Sequence, residues 1–184
     1  MSLVRSGVVW GWLLLMTVAG PVRAAPASPL ALVPATVLSA DSTRVKLMAY
    51  LARGDIAGAI AMYETSTGRV APAWLTELQA AYGVANQAVG RCQEVARVIH
   101  TAFLKVGQTP QYIAFKNKGD AEFMVFQLTS GRTASVSHNK YHVAVRIGDS
   151  IYDAYTGPLG MKLNDYIARL HAQQGISWEV VANP

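Results

Sequence analysis

The chain has 184 residues, of which 52% are hydrophobic and 15% are charged, and its formal net charge is +5. This length suits one compact domain rather than two large ones, and the low charge content argues against a chain that is disordered over most of its length. The basic residues are scattered, without a Lys/Arg run or interleaved aromatic residues, so we expect no nucleic-acid partner.

The first 24 residues have the pattern of a secretory signal peptide. Arg5 provides a positive charge before the apolar run 8–20, and the sequence VRA at 22–24 has small residues where a signal peptidase reads. The run is shorter than the about 20 apolar residues of a membrane anchor, although an uncleaved anchor is the alternative. Removal of residues 1–24 takes away Arg5 and Arg23 and lowers the net charge from +5 to +3. We therefore expect a secreted or periplasmic protein that does not contact the membrane after cleavage.

Helices are predicted in the first half of the chain. Residues 25–42 are rich in Ala, Pro and Ser, a composition that predicts a linker. A helical region over 43–88 follows, because apolar residues recur at helical spacing between turn signals. The predicted helices run over about 43–53, 55–65 and 72–82, and a loop over 81–91 precedes a fourth helix at 92–105.

The pattern changes from helix to strand after residue 107. Segments rich in β-branched and aromatic residues predict strands at 111–115, 122–128, 141–147, 150–155 and 177–182, and a late helix is predicted at 163–172. Helices that are followed by mostly antiparallel strands predict an α+β fold, with the N-terminal helices packed on a small antiparallel β-sheet.

The chain has one cysteine, Cys92, at the start of the fourth predicted helix. Exported proteins usually carry paired cysteines, and a lone thiol is buried, paired with another molecule, or reactive. A helix N-terminus lowers the pKa of a thiol, because its N–H groups and dipole favour the thiolate. The same N–H groups can bind an oxyanion. The alternative is that Cys92 is a small core residue on the apolar stripe with Val95 and Ile99.

A tight turn at 148–149 (Gly-Asp) joins the strands 141–147 and 150–155. In this register His142 and Asp153 are diagonal neighbours on one face, with β-carbons about 7–8 Å apart or a little less. The carboxylate can then accept a hydrogen bond from one imidazole nitrogen and leave the other available, as a histidine base requires. The structural alternatives are an interior histidine that is bonded to a backbone carbonyl and an aspartate that ends a strand or makes a turn.

The other three histidines have settings less suited to catalysis. His100 lies on the polar face of its helix, His138 lies in a polar loop, and His171 ends a helix. Their spacing matches no zinc site, and one cysteine cannot form a thiolate cluster. We therefore expect neither a metal ion nor another cofactor.

Two segments, GRCQEVARVIHTAFLKVG and YHVAVRIGDSIYDAYTGPLG, resemble the papain-fold toxin domains of bacterial polymorphic toxins, most closely the class called papain fold toxin 2. The first is similar to the family's cysteine at the head of a helix. The second is similar to its histidine strand, followed by a tight turn, a strand that ends in Tyr-Asp, and a loop with Gly-Pro. The resemblance extends from Cys92 to about His171.

The resemblance implies a papain-like catalytic domain over residues 89–184. It implies that Cys92 is the nucleophile, His142 the base and Asp153 the residue that orients the imidazole. A polar side chain upstream of the cysteine often completes the oxyanion hole in papain-like enzymes, and Asn86 or Gln87 is the candidate here. The expected function is a secreted thiol amidohydrolase, that is, a protease, deamidase or acyltransferase. As a toxin or effector it would have a protein or peptide substrate and a cognate immunity protein.

Two other functions fit the same sequence. An exported cell-wall peptidase of the NlpC type shares the Cys-His chemistry and the exported location. A non-catalytic exported binding module would instead use the helical hairpin over 43–65 as its docking surface, with the papain-like part as a scaffold.

Overall fold

The computed structural model describes the backbone of residues 35–184 and the side chains from Ser42 onward. The predicted signal peptide, residues 1–24, lies outside the described residues. Among the helices that the structure describes, none combines the length and the apolar content needed to cross a bilayer.

The helices fall mainly in the first half of the described chain. They are α1 (Ala35–Ala52), α2 (Ile56–Thr67), α3 (Ala73–Ala81), α4 (Cys92–Lys105) and α5 (Leu163–Arg169), with a short 3-10 turn at Val84–Asn86. Local signals explain several ends. Asp55 caps α2 by accepting a hydrogen bond of 2.8 Å from the Gly58 N–H, and Gly68 ends it in a left-handed conformation. Pro72 directly precedes α3.

Helix α1 begins earlier than the sequence predicted. It starts at Ala35 rather than near residue 43, so residues 35–42 of the expected linker are helical. The prolines that suggested a linker end at Pro34, and the following residues include Ala and Leu and no glycine or proline. Ala and Leu are good helix formers, and without an internal glycine or proline the segment is continuous with the helix over 43–52.

The strands form two antiparallel sheets. They are β1 (Gln111–Asn117), β2 (Met124–Gln127), β3 (Thr133–Ser137), β4 (Tyr141–Ile147), β5 (Ser150–Tyr152), β6 (Met161–Lys162), β7 (Leu170–His171) and β8 (Ile176–Val181). The larger sheet has the order β6-β5-β4-β1-β8, and the smaller has the order β3-β2-β7. The α+β class predicted from the sequence is confirmed.

Strand β4 lies between two hydrophobic cores. On one face, Val143 and Val145 belong to a core that also contains residues of α1 to α4, and α4 is the helix that packs on the strand. Ala144 packs on the other face into a second core, with residues from α5 and the smaller sheet. Strand β4 is therefore buried on both faces along most of its length, which makes it a fixed support for the side chains that it carries.

Three short strands, β3, β6 and β7, escaped the sequence prediction, and two of them have a clear cause. Strand β3, with the sequence TASVS, has few β-branched or aromatic residues and forms through pairing with β2. The late helix was predicted to reach residue 172, but it ends at Arg169, because Leu170 pairs with Phe126 as strand β7. Tertiary pairing decided both outcomes.

Candidate active site

Cys92 is the first residue of α4, and it is partly buried. Its neighbours on the helix, Val95 and Ala96, are buried in the first core together with Val143 and Val145 of β4. This packing holds the head of α4 against β4. The thiol therefore lies next to the first N–H groups of the helix, which have no partner within the helix.

His142 lies on β4 with 1% of its surface exposed. Its Nε2 is 3.1 Å from Oδ2 of Asp153 and 2.9 Å from the hydroxyl of Tyr166. Its Nδ1 is buried and has no hydrogen-bond partner among the described residues. One ring nitrogen is therefore held by fixed groups, while the other is left open.

Asp153 follows strand β5 and is 3% exposed. Strands β4 and β5 pair with Val145 opposite Tyr152, so the predicted hairpin register is confirmed. Beyond that pair Asp153 starts a turn, in which its Oδ1 accepts hydrogen bonds of 2.8 Å from the N–H groups of Tyr155 and Thr156. These two bonds orient the carboxylate, so that Oδ2 points to the imidazole.

The three predicted residues change one another's pKa. Burial raises the pKa of the Cys92 thiol, but the His142 imidazole and the backbone of Val143 and Gln93 lower it more, so the net pKa is below the usual value. Burial lowers the pKa of His142, while Asp153 and Cys92 raise it to about 9. Burial raises the pKa of Asp153, but His142 lowers it to a net value below the usual one. All three directions favour a thiolate, an imidazolium and a carboxylate.

The Cys92 thiol interacts with the His142 imidazole, since each affects the pKa of the other. Nε2 is engaged by Asp153 and Tyr166, so Nδ1 is the nitrogen available to the sulfur. A thiol that faces an unpaired imidazole nitrogen can transfer its proton there and become a nucleophile. The structure thus brings His142 and Asp153 into direct contact and places Cys92 close enough to the imidazole for each to change the pKa of the other.

A pocket of about 260 Å³ opens beside the thiol. One side is formed by residues around Cys92, and the other by the end of β3, the following turn and the start of β4. Its lining residues are Val89, Gly90, Cys92, Gln93, Val136, Ser137, His138, Asn139 and Tyr141. The mixed polar and apolar lining gives room for part of a substrate next to the sulfur.

The two candidate oxyanion residues have different settings. Nε2 of Gln87 donates a hydrogen bond of 3.0 Å to the carbonyl of Ala154, which neighbours Asp153. Nδ2 of Asn86 instead donates to the carbonyl of Ala80 on α3, at 2.8 Å. Gln87 is thus tied to the turn that carries the carboxylate, whereas Asn86 bonds to α3 and, through its Oδ1, accepts hydrogen bonds from Arg91, which directly precedes Cys92.

Tyr166 belongs to the same cluster, although the sequence prediction did not include it. It is fully buried on α5, and its hydroxyl donates a hydrogen bond of 2.6 Å to Oδ2 of Asp153. The sequence signal that could have identified Tyr166 is its position on the apolar stripe of the predicted late helix, together with Leu163 and Leu170. A buried tyrosine hydroxyl normally needs a partner, so the stripe implied a polar group in the core.

The remaining histidines lie apart from this cluster. His100 is partly buried and stacks on Tyr112, with ring centroids 4.2 Å apart, whereas the sequence suggested a solvated position. His138 is exposed at the rim of the pocket, and His171 is exposed on β7. Within the described part of the chain no group of three or more His, Cys, Asp or Glu side chains is arranged to hold a metal ion.

Comparison of the chain with protein-family models, with curated proteins and with solved structures finds no match. The case for a function therefore rests on the geometry of the cluster and on the sequence motifs.

Proposed function

We propose that this protein is a thiol enzyme that acts on amide bonds, with Cys92 as nucleophile, His142 as general base and acid, and Asp153 as the orienting carboxylate. One observation carries the proposal. Asp153 holds Nε2 of the buried imidazole at 3.1 Å, and Nδ1 is left without a hydrogen-bond partner among the described residues, available to the thiol. An ordinary core histidine would have both nitrogens satisfied or one exposed to water.

The proposed reaction has two steps. In the first, Nδ1 of His142 takes the proton of Cys92, and the sulfur attacks the carboxamide carbon of a substrate in the pocket. The C–N bond breaks, the amine leaves with the proton from His142, and a thioester forms on Cys92. In the second step water or an amine attacks the thioester and regenerates the thiol. Water gives a protease or deamidase, and an amine gives an acyltransferase.

The N–H groups at the head of α4 are the proposed donors to the oxyanion of the first step. Backbone N–H groups at a helix N-terminus are suited to this role, because the charge develops where the unpaired donors point. Gln87 is the side chain that we propose as the additional donor, since its amide lies against the turn that carries Asp153.

The resemblance to papain-fold toxin domains extends the proposal. By this resemblance, residues 89–184 have a papain-like fold. The protein would be exported as an effector or toxin that acts on a protein or peptide, and an immunity protein would be its natural inhibitor. Neither extension is needed for the chemistry of Cys92.

The test uses p-nitrophenyl acetate, an activated acyl ester that acylates a reactive thiol without further recognition. We expect a burst of p-nitrophenolate and an acetyl adduct on Cys92 in the intact-protein mass spectrum, at a rate well above that of free cysteine at neutral pH. Cys92→Ala should abolish the burst, and His142→Ala should reduce the rate toward that of free cysteine. A wild-type rate equal to that of free cysteine would contradict the proposal, because an activated thiolate must react faster than an ordinary thiol.

A further inference from the structure

Tyr166 contacts both members of the buried His-Asp pair. Its hydroxyl is 2.6 Å from Oδ2 of Asp153 and 2.9 Å from Nε2 of His142. Its ring is held between Phe115 and Phe126, with centroids 5.1 Å and 4.9 Å away. The hydroxyl is therefore fixed by packing, and it forms the third corner of a triangle of polar atoms within the second core.

The three atoms admit one consistent arrangement of protons. A carboxylate can only accept, so the hydroxyl donates its single proton to Asp153 across the shorter distance. Its oxygen can then accept from the Nε2–H of His142, which also faces the carboxylate. If the hydroxyl donated to Nε2 instead, the imidazole proton would have to sit on Nδ1, and the carboxylate would face a lone pair.

We propose that Tyr166 is a positioning residue, whose hydroxyl keeps Asp153 ionised in the core and gives Nε2–H a second acceptor, so that Nδ1 stays open toward Cys92. The catalytic consequence rests on the proposed function, whereas the effect on the ionisation of Asp153 does not. Tyr166 does not line the pocket, and its hydroxyl bonds to His142 and Asp153, so it acts through these two residues.

The effect on Asp153 gives a pH-dependent signature. Burial raises the pKa of this carboxyl, but His142 and the Tyr166 hydroxyl lower it to a net value below the usual one. The stability that a group with a lowered folded-state pKa contributes is present above its unfolded-state pKa, about 4, and is lost as the pH falls through the folded-state value. Loss of the hydroxyl should therefore cost more stability at neutral pH than at acid pH.

The variant to test is Tyr166→Phe, which keeps the packed ring, and the matched control is Tyr82→Phe. Tyr82 also has a buried hydroxyl, and burial, Tyr152 and the charge of Asp153 raise its pKa. That hydroxyl has no hydrogen-bond partner among the described residues, so the control tests a nearby hydroxyl that makes no hydrogen bond to the carboxylate. We expect Tyr166→Phe to lower the equilibrium constant for folding, the ratio of native to unfolded protein, by about tenfold at pH about 7, as for the loss of a bond to a charged group. That loss should shrink as the pH falls below about 4, whereas any effect of Tyr82→Phe should be equal across the range.

A double-mutant cycle with Asp153→Asn makes the same test at one pH. If the hydroxyl acts through the carboxylate, Tyr166→Phe should cost much less in the Asn background than in the wild type. A Tyr166→Phe penalty that is independent of pH and additive with Asp153→Asn would overturn the proposal, because a role in packing alone predicts that result.

The effect of Tyr166 on the reactivity of Cys92 is tested by measuring the rate of iodoacetamide alkylation as a function of pH. We expect Tyr166→Phe to move the acid limb of the profile to higher pH and to slow alkylation several-fold near pH 6, and Tyr82→Phe to leave it unchanged. An unchanged profile in Tyr166→Phe, with a wild-type thiol that reacts faster than free cysteine, would overturn the positioning role. A wild-type thiol that reacts like free cysteine would contradict the proposed function, while a pH-dependent penalty of Tyr166→Phe would still support its role on Asp153.

Discussion

The replacement of Asp153 by Asn is the most informative single change, because it removes a charge and keeps the shape of the side chain. The Asn oxygen can still accept from the N–H groups of Tyr155 and Thr156, each 2.8 Å from Oδ1, so the turn should survive. Its amide would then face Nε2 of His142 as a donor. A donor at that position favours the imidazole tautomer with its proton on Nδ1. In that tautomer Nδ1 cannot accept the proton of Cys92, so His142 cannot act as its base.

The size of the effect follows from the pKa of His142. Asp153 and Cys92 together raise this pKa from 6.5 to about 9 against the effect of burial. A difference of one unit between the folded-state and unfolded-state pKa corresponds to about 1.4 kcal/mol of stability. Stabilisation on the order of 3 kcal/mol is therefore present while the imidazole is charged, and Asp153 provides the largest favourable part. Because the folded-state pKa is raised, this stability is complete below about pH 6.5 and is lost as the pH rises through about 9.

Urea unfolding of wild type and Asp153→Asn at about pH 6 and about pH 10 measures this difference. We expect a loss of 2 to 3 kcal/mol, to order of magnitude, at the lower pH and a clearly smaller loss at the higher. The rate of acylation of Cys92 should fall by about a thousandfold or more. Asp149→Asn is the control, since Asp149 lies on the surface in a 3.7 Å ion pair with Lys162 and should matter little. Equal losses at both pH values, or an unchanged acylation rate, would refute the reasoning.

Three further predictions concern the thiol, the two candidate oxyanion residues and a glycine next to Tyr152. Cys92→Ala should abolish acylation yet change the free energy of unfolding by at most about 1 kcal/mol in urea titrations, since the side chain is partly buried; a loss above about 3 kcal/mol would identify the thiol as a core group. Gln87→Ala should slow acylation at least about tenfold, whereas Asn86→Ala should have less than about a twofold effect; equal rates in the two variants would exclude Gln87 as an oxyanion donor. Gly160→Ala should cost at least about 2 kcal/mol in thermal or urea unfolding, because its φ is +67° and an added Cβ would lie 2.7 Å from the Tyr152 ring. Gly157→Ala, with φ +72° and no atom within 4 Å of the added Cβ, should cost about 1 kcal/mol; similar losses in both would contradict the steric argument.

Much of the site could be predicted because its geometry is local in sequence. The turn at 148–149 fixes which residues of the two flanking strands face each other, so the pairing of His142 with Asp153 followed from counting alternate residues. The start of α4 at Cys92 followed from the apolar stripe and the preceding breaks. Where the evidence was composition rather than periodicity, as in residues 35–42, the predicted start of the first helix was too late.

The sequence alone determined the α+β class, the hairpin register and the position of the lone thiol at a helix start, because each depends on residues a few positions apart. Only the tertiary structure decided that α4 packs on β4 with Cys92 near the imidazole, that Gln87 reaches the turn of Asp153, and that Tyr166 from α5 completes the buried polar cluster. Such contacts join segments far apart in the chain, and they form where burial of two separate apolar faces brings those segments together.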